Sequence, residues 1–357
     1  MNTLDLSRYD AGGADRSRFL DELREAVGGV GAFSLVGHGI DPLEADAVLA
    51  LSRLFFTLPH AELLDIEMRH SPHFRGYTLT GMERTQDRVD WREQLDVARE
   101  SQTRPWRPDG KPYWGLHGPN QWPASLPELR PLITSWMQRL EGVARRLLHA
   151  ISESIGLAPN HFDAAFSPDP HVHLKIVRYP GRTPADDDQG VGAHKDYGFV
   201  TLVLQDGVRG LQFADRSGNF IDLDPQRGAF AVNLGEMLEV ATGGAVHATI
   251  HRVLSPPAGV ERISLPFFYN PRLDYIVEPV TPARLNELGA SAAAGQATSG
   301  AAGRSANAAQ GLDGPNQLFA EYGYNALKGW LRAHPHVAQL HYPELSGRDL
   351  TELALKA

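Results

Sequence analysis

Two textures divide the chain. Up to about residue 165 the apolar residues recur at the three- and four-residue steps of amphipathic helices. Asp41-Pro42 reads as a helix start, a capping acceptor followed by proline at the first helical position. The segment PLEADAVLALSRLFF that follows keeps helical spacing. A second, longer helix is expected after Pro127, where Leu132, Ile133, Trp136, Met137, Leu140, Val143, Ala144, Leu147, Leu148, Ile151 and Ile155 form a stripe. Such stripes predict faces that pack on a core, and nothing about chemistry.

From about residue 171 the period changes. HVHLKIVRYP, FVTLVLQD, GLQF, NFIDL, GAFAVNLG, ATIHRVLS and RISLPFFYN are short β-rich runs separated by Gly, Pro and Asp turns. The pattern predicts an antiparallel sandwich or barrel over 171–280, rather than strands alternating with helices. Residues 289–311, GASAAAGQATSGAAGRSANAAQG, have no period and no bulky apolar residue. They read as a flexible loop before they read as a lid, because they bury too little surface to offset the entropy of ordering. Helical spacing returns from Pro315 to about Ala333 and places a C-terminal helical part at 315–345. The whole, 1–357, reads as a single domain with a mainly helical N-terminal part at 1–165.

Composition narrows the chemistry. None of the 357 residues is cysteine, which excludes disulfides, thiolate catalysis, zinc fingers and cysteine-ligated iron–sulfur clusters. Any metal must be held by His, Asp or Glu. A formal net charge of -9 argues against nucleic acid or an anionic membrane as partner. MNTLDLSRYDAGG has no basic segment followed by an apolar one, so no signal peptide is expected, and a cytoplasmic protein is.

Three features in the β-rich part could together hold a metal. His194 and Asp196 precede the apolar run FVTLVLQ, and His251 lies in ATIHRVLS. Two neutral nitrogens and one carboxylate can occupy one face of an octahedral ion and leave three positions open, which suits non-haem Fe(II) and O2. Arg262 and Ser264 alternate onto one face of the next strand, where guanidinium and hydroxyl can grip a carboxylate. Each piece alone is weak, since His161-Phe162-Asp163 repeats the His-x-Asp spelling and reads as a turn entering a helix. His171-Val172-His173 resembles the paired histidines of a cupin, but LKIVRYPG supplies no glutamate after it.

The joint pattern resembles the isopenicillin N synthase-like family of Fe(II)- and 2-oxoglutarate-dependent oxygenases. AHKDYGFVTLVLQD, TGGAVHATIHRV and ERISLPFFYNP resemble its His-x-Asp, His-Arg-Val and Arg-x-Ser motifs, and REAVGGVGAFSLVGHGI, SRLFFTLP and FRGYT its N-terminal signature. The resemblance implies an α+β fold, a double-stranded β-helix or jelly-roll core flanked by N- and C-terminal helices. It implies that His194, Asp196 and His251 hold Fe(II), and that Arg262, Ser264 and Tyr179 bind the distal carboxylate of 2-oxoglutarate. Val177 and Ala248 depart from the family's usual Asn and Ser. The implied reaction oxidises a small molecule with O2, hydroxylation being the default, and releases succinate and CO2. No acid–base catalyst is expected beyond the metal ligands.

Lys175 shares a strand face with Tyr179 and is a candidate to meet an anionic substrate inside the barrel, with a place at the barrel's open end and pairing to a surface acid as the alternative. Arg75 and Tyr77 lie where the family's N-terminal region borders the pocket. The competing functions are an oxidase of the same fold that uses no 2-oxoglutarate, in which Arg262 and Ser264 grip the substrate, and a non-catalytic jelly-roll binding protein.

Overall fold

The computed structural model describes residues 1–85, 88–104, 110–183, 187–281, 318–347 and 350. The 289–311 tract and the start of the 315–345 segment lie outside them. The strands are β1 Thr3–Asp5, β2 Ala32–Val36, β3 Gly76–Thr78, β4 Arg84–Thr85, β5 Arg88–Val89, β6 Glu93–Ala98, β7 His171–Tyr179, β8 Gln189–His194, β9 Val200–Gln205, β10 Leu211–Ala214, β11 Phe220–Asp222, β12 Phe230–Leu234, β13 His251–Leu254 and β14 Arg262–Asn270. The helices are α1 Ser7–Ala11, α2 Gly13–Gly28, α3 Pro42–Phe55, α4 His60–Asp65, α5 Leu129–Ser154, α6 Asp163–Phe166, α7 Glu236–Ala241, α8 Tyr322–Ala333 and α9 Pro335–His341.

Two sheets carry the architecture, one of eight strands in the order β1-β2-β12-β9-β14-β7-β6-β3 and one of four, β11-β10-β13-β8. All pairs within them are antiparallel except β1–β2. Side-chain alternation sorts the large sheet into two faces. Val177, Tyr179, Val203 and Ala231 meet Val191, Leu211, Phe213 and Val253 of the small sheet and fill the sandwich. Their neighbours Leu174, Ile176, Leu202, Leu204, Phe230 and Val232 point the other way, into a core closed by α2, α3 and α5. This is the mixed α+β jelly roll expected from the chain, with helices packed on the outer face.

The helices form where their local signals stand. Asp41 caps α3 by accepting from the Leu43 N–H at 2.9 Å, with Pro42 in the first turn. The α5 stripe buries Ile133, Trp136, Met137, Leu140, Val143, Ala144, Leu147, Leu148 and Ile151. The N-terminal part is less purely helical than its spacing suggested. It also supplies β1, β2, β3 and β6 to the large sheet, and β6 pairs along β7 from Glu93↔Arg178 to Ala98↔His173. EQLDVA carries charges on a strand buried along its whole length, so no apolar alternation advertises it. The strand expected over ATIHRVLS begins only at His251, and β8, which ends at His194, was not anticipated. No helix among the described residues is long and apolar enough to cross a membrane.

Trp136→Ala would empty a site that is 1% exposed and faces Phe230 across 6.0 Å. A loss of about 3–5 kcal/mol is expected in urea unfolding. A pH dependence follows from three buried histidines. Burial lowers His171 and His173 well below 6.5 and His334 to about 3, so each stays neutral in the fold. The unfolded chain takes up their protons first, so their stability contribution is complete above pH 6.5 and is lost as pH falls below it. The urea midpoint should therefore drop between pH 7.5 and 5, and His334→Phe, which keeps the stacking on Trp330, should shrink the drop.

Candidate active site

His194 and His251 are cross-strand partners in the β8–β13 pair, with ring centroids 4.3 Å apart. Register slips immediately after this pair, a bulge-like irregularity that ends the regular ladder at the site. Asp196 does not continue β8. It lies in the turn to β9, so the triad arises from a strand end, a turn and a strand start, not from alternation along one strand. Glycines let the turn sit deep. A Cβ on Gly198 would lie 1.8 Å from Asn270 Oδ1, and one on Gly235 would strike the Gly198 carbonyl. The Asp196 carbonyl accepts from Glu236 N–H at 2.8 Å, tying the turn to the start of α7.

Hydrogen bonds aim the three side chains at one point. The Nδ1 atoms of His194 and His251 lie 2.8 and 3.3 Å from the carbonyls of Gly192 and Thr249. A carbonyl can only accept, so each Nδ1 carries a proton and each Nε2 is the ring nitrogen left facing the site. Asp196 Oδ2 accepts from Thr201 Oγ1 at 2.5 Å and Asn233 Nδ2 at 2.6 Å. Oδ1 is left 3.8 Å from His194 Nε2 and 3.9 Å from His251 Nε2. One ligand atom from each residue lies within 4.8 Å of the others, the spacing of atoms around a shared ion. Burial, then His194, lowers His251 to about 4 and keeps it an unprotonated donor. Burial opposes ionisation of Asp196, but His251, His194, Thr201 and Asn233 outweigh it and hold the carboxyl low.

The three face a cavity of about 280 Å³ between the sheets. Tyr179, Arg262 and Ser264 line it too, from neighbouring registers of β7 and β14. Arg262 is fully buried. Its Nε donates to the Val208 carbonyl at 3.2 Å, its Nη2 to Gln205 Oε1 at 2.9 Å, and its carbon lies 5.0 Å from the Tyr179 ring centre. Nη1 has no partner, and a buried guanidinium N–H left so is costly unless a ligand accepts from it. Val177 stands opposite Ser264 in register and adds no hydrogen bond there.

The remaining expectations separate. Lys175 lines the cavity but is already paired, 3.2 Å from Glu83 Oε1 and 3.3 Å from Asp96 Oδ1. Arg75 does not line this cavity; it donates to the carbonyls of His73, Phe74 and Leu116. Tyr77 is also outside it, its hydroxyl donating to Glu93. Arg75 ties its own segment to Leu116 and Tyr77 ties β3 to β6, so neither side chain is on the lining of the cavity that holds the triad. His161-Phe162-Asp163 leads into α6, with Asp163 bonded to His149, and belongs to no metal-capable cluster among the described residues. Lys195 pairs with Glu239 at 3.4 Å. Sequence reading missed Gln205, Asn233, Glu83 and Arg92. The first two sit inside apolar runs, and the last two are spelled within the charged stretch MERTQDRVDWREQ, where nothing marks them as buried.

Comparison with known proteins agrees with this geometry. Residues 1–125 match the model described as the non-haem dioxygenase in morphine synthesis N-terminal, and 170–271 match the 2OG-Fe(II) oxygenase superfamily. The chain is 38% identical to the 2-oxoglutarate-dependent dioxygenase frbJ of a Dothideomycetidae species, covering 73% of this chain and 71% of that protein. It is 32% identical to a homoarginine-6-hydroxylase of Arabidopsis thaliana over 73% of this chain and 79% of the relative. Among solved structures, a 2OG-Fe(II) oxygenase family protein from Caulobacter crescentus superposes with a TM-score of 0.67 at 28% identity, covering 79% and 92% of the two chains. The chain belongs to the 2OG-Fe(II) oxygenase superfamily and is an oxygenase that depends on Fe(II) and 2-oxoglutarate.

Proposed function

We propose that His194, Asp196 and His251 hold the iron, that Arg262 with Ser264 and Tyr179 binds the distal carboxylate of 2-oxoglutarate, and that the chain hydroxylates a small molecule with release of succinate and CO2. The observation that carries this is the pairing, in one cavity, of three converging ligand atoms with a buried guanidinium whose Nη1 lacks an acceptor. Iron so held supplies the oxidative decarboxylation of 2-oxoglutarate and the removal of hydrogen from the substrate.

The chain's own residues do the rest by placement. Thr201 and Asn233 hold Asp196 by one oxygen, which keeps the other turned to the histidines. Gln205 and the Val208 carbonyl fix the Arg262 fork so that its remaining edge is free for a carboxylate. Val191, Val203, Leu211 and Val253 line the cavity between and keep it apolar, which strengthens both charged contacts and limits water. Lys175, held by Glu83 and Asp96, lines the cavity further along the face of β7 that carries Tyr179, and the substrate is placed there in this reading.

With Fe(II), ascorbate, 2-oxoglutarate and a candidate substrate, the protein should form succinate in step with oxidised product. L-Homoarginine is the first compound to assay, because one relative is named for it. Oxygen uptake that proceeds without 2-oxoglutarate would instead favour the oxidase reading. Asn233→Ala should weaken metal binding by about 10–100-fold, measured by titration with Fe(II) under argon. Arg262→Leu should raise the KM for 2-oxoglutarate by at least about tenfold and leave metal affinity unchanged.

A further inference from the structure

Further along the cavity wall, away from the Arg262 fork in the direction in which β7 runs back from Tyr179 to Lys175, the lining is built from charge. Glu83, Arg92 and Lys175 line the cavity, and each is less than a tenth exposed. Arg92 Nη2 lies 3.0 Å from Glu83 Oε2 and 3.3 Å from Asp90 Oδ2, while Lys175 Nζ reaches Glu83 and Asp96. Two cations thus stand against three carboxylates. Burial pushes Asp90 and Asp96 up, whereas Arg92 and Lys175 overcome the same penalty at Glu83 and hold it low. Glu83 is also the one of the three acids that lines the cavity.

Several polar atoms on this wall have no hydrogen-bond partner. They are Oε2 of Glu83, Nε of Arg92, Nε1 of Trp330 and Nδ1 of His173, all on cavity-lining residues. The guanidinium beside Glu83 Oε2 is close enough for ion pairing but makes no hydrogen bond to it. Buried polar atoms are almost always matched, so a group of unmatched ones on one wall marks where a ligand completes the network. The set contains both an acceptor and donors. A simple carboxylic acid would satisfy the donors and leave Glu83 Oε2 without a hydrogen bond, and a simple amine would do the reverse. A ligand carrying both ammonium and carboxylate on adjacent atoms answers all of them. Phe268, stacked on His173 at 4.1 Å, and Trp330, 5.3 Å from His173, supply an aromatic surface for the apolar stem of such a ligand.

We propose that this wall receives the zwitterionic head of a free α-amino acid, Glu83 taking the ammonium and Arg92 with Lys175 taking the carboxylate. That assignment takes the iron and 2-oxoglutarate sites as given. Glu83, Arg92 and Lys175 are then specificity residues, and Asp90 and Asp96 are positioning residues that hold the two cations in place.

The test uses the full chain loaded with Mn(II) and 2-oxoglutarate, so that binding is read without turnover. The twenty standard L-amino acids, L-ornithine and L-homoarginine are screened by thermal shift and then by calorimetry. At least one should bind, and its des-amino acid and its decarboxylated amine should each bind at least about tenfold more weakly. Glu83→Gln should weaken the amino acid by at least about tenfold, narrow the gap to the des-amino analogue, and leave 2-oxoglutarate affinity within about twofold. If Glu83→Gln does not fold, the analogue series on the native chain decides. No binding by any member of the panel, or a des-amino analogue as tight as its parent, overturns the proposal. Failure of the oxygenase site would show separately, as loss of 2-oxoglutarate binding to the metal-loaded protein.

Discussion

The antiparallel pairing of β8 with β13 is the constraint on which the site depends. It sets His194 beside His251 and leaves their Nδ1 atoms facing carbonyls of their own strands' approaches. Two imidazoles are thereby fixed in tautomer and direction by backbone alone, before any metal arrives. The third ligand cannot come from the same ladder without pointing elsewhere, so it comes from the turn after β8. That turn is held by close glycine contacts and by Thr201 and Asn233 from β9 and β12. A donor set of this kind is pre-organised, since the ordering cost falls on the fold and not on the ion.

Around the triad the sandwich separates two kinds of polar group by apolar side chains. At one end Arg262 is fixed on two of its edges and unmatched on a third. At the other, Glu83, Asp90 and Asp96 pair with Arg92 and Lys175 in a buried network. Such a network contributes little net stability, because desolvation of each charge offsets the attraction between them. Its retention on a cavity wall is easier to understand as recognition than as support. The N-terminal strands matter here, since β6 brings Asp96 beside Lys175 on β7, and Glu83 immediately precedes β4.

Local signals were enough for much of the chain. The α5 stripe, the Asp41-Pro42 cap and the short β-rich runs after residue 171 stand where their periods placed them, because amphipathic spacing and capping act over a few residues. The triad residues and the Arg262–Ser264 pair were named from motif order, and the structure puts them around one cavity. His194 and Asp196 do not share the face of one strand, because β8 ends at His194. Arg75 and Tyr77 had the right neighbourhood by order along the chain but point into packing contacts.

By itself, then, the sequence determined that a metal must be held by His, Asp or Glu, and motif order with the family resemblance singled out His194, Asp196 and His251 for it. It determined too that an antiparallel core would follow helices. Only the tertiary structure decided which charges face the cavity. Glu83, Arg92 and Gln205 look like surface residues in one dimension, because burial of a polar group depends on partners far along the chain and leaves no local period. Glu83 and Lys175 stand 92 positions apart and Gln205 and Arg262 stand 57 apart; the β9–β14 register closes the second gap, and no short stretch of sequence encodes such a pairing.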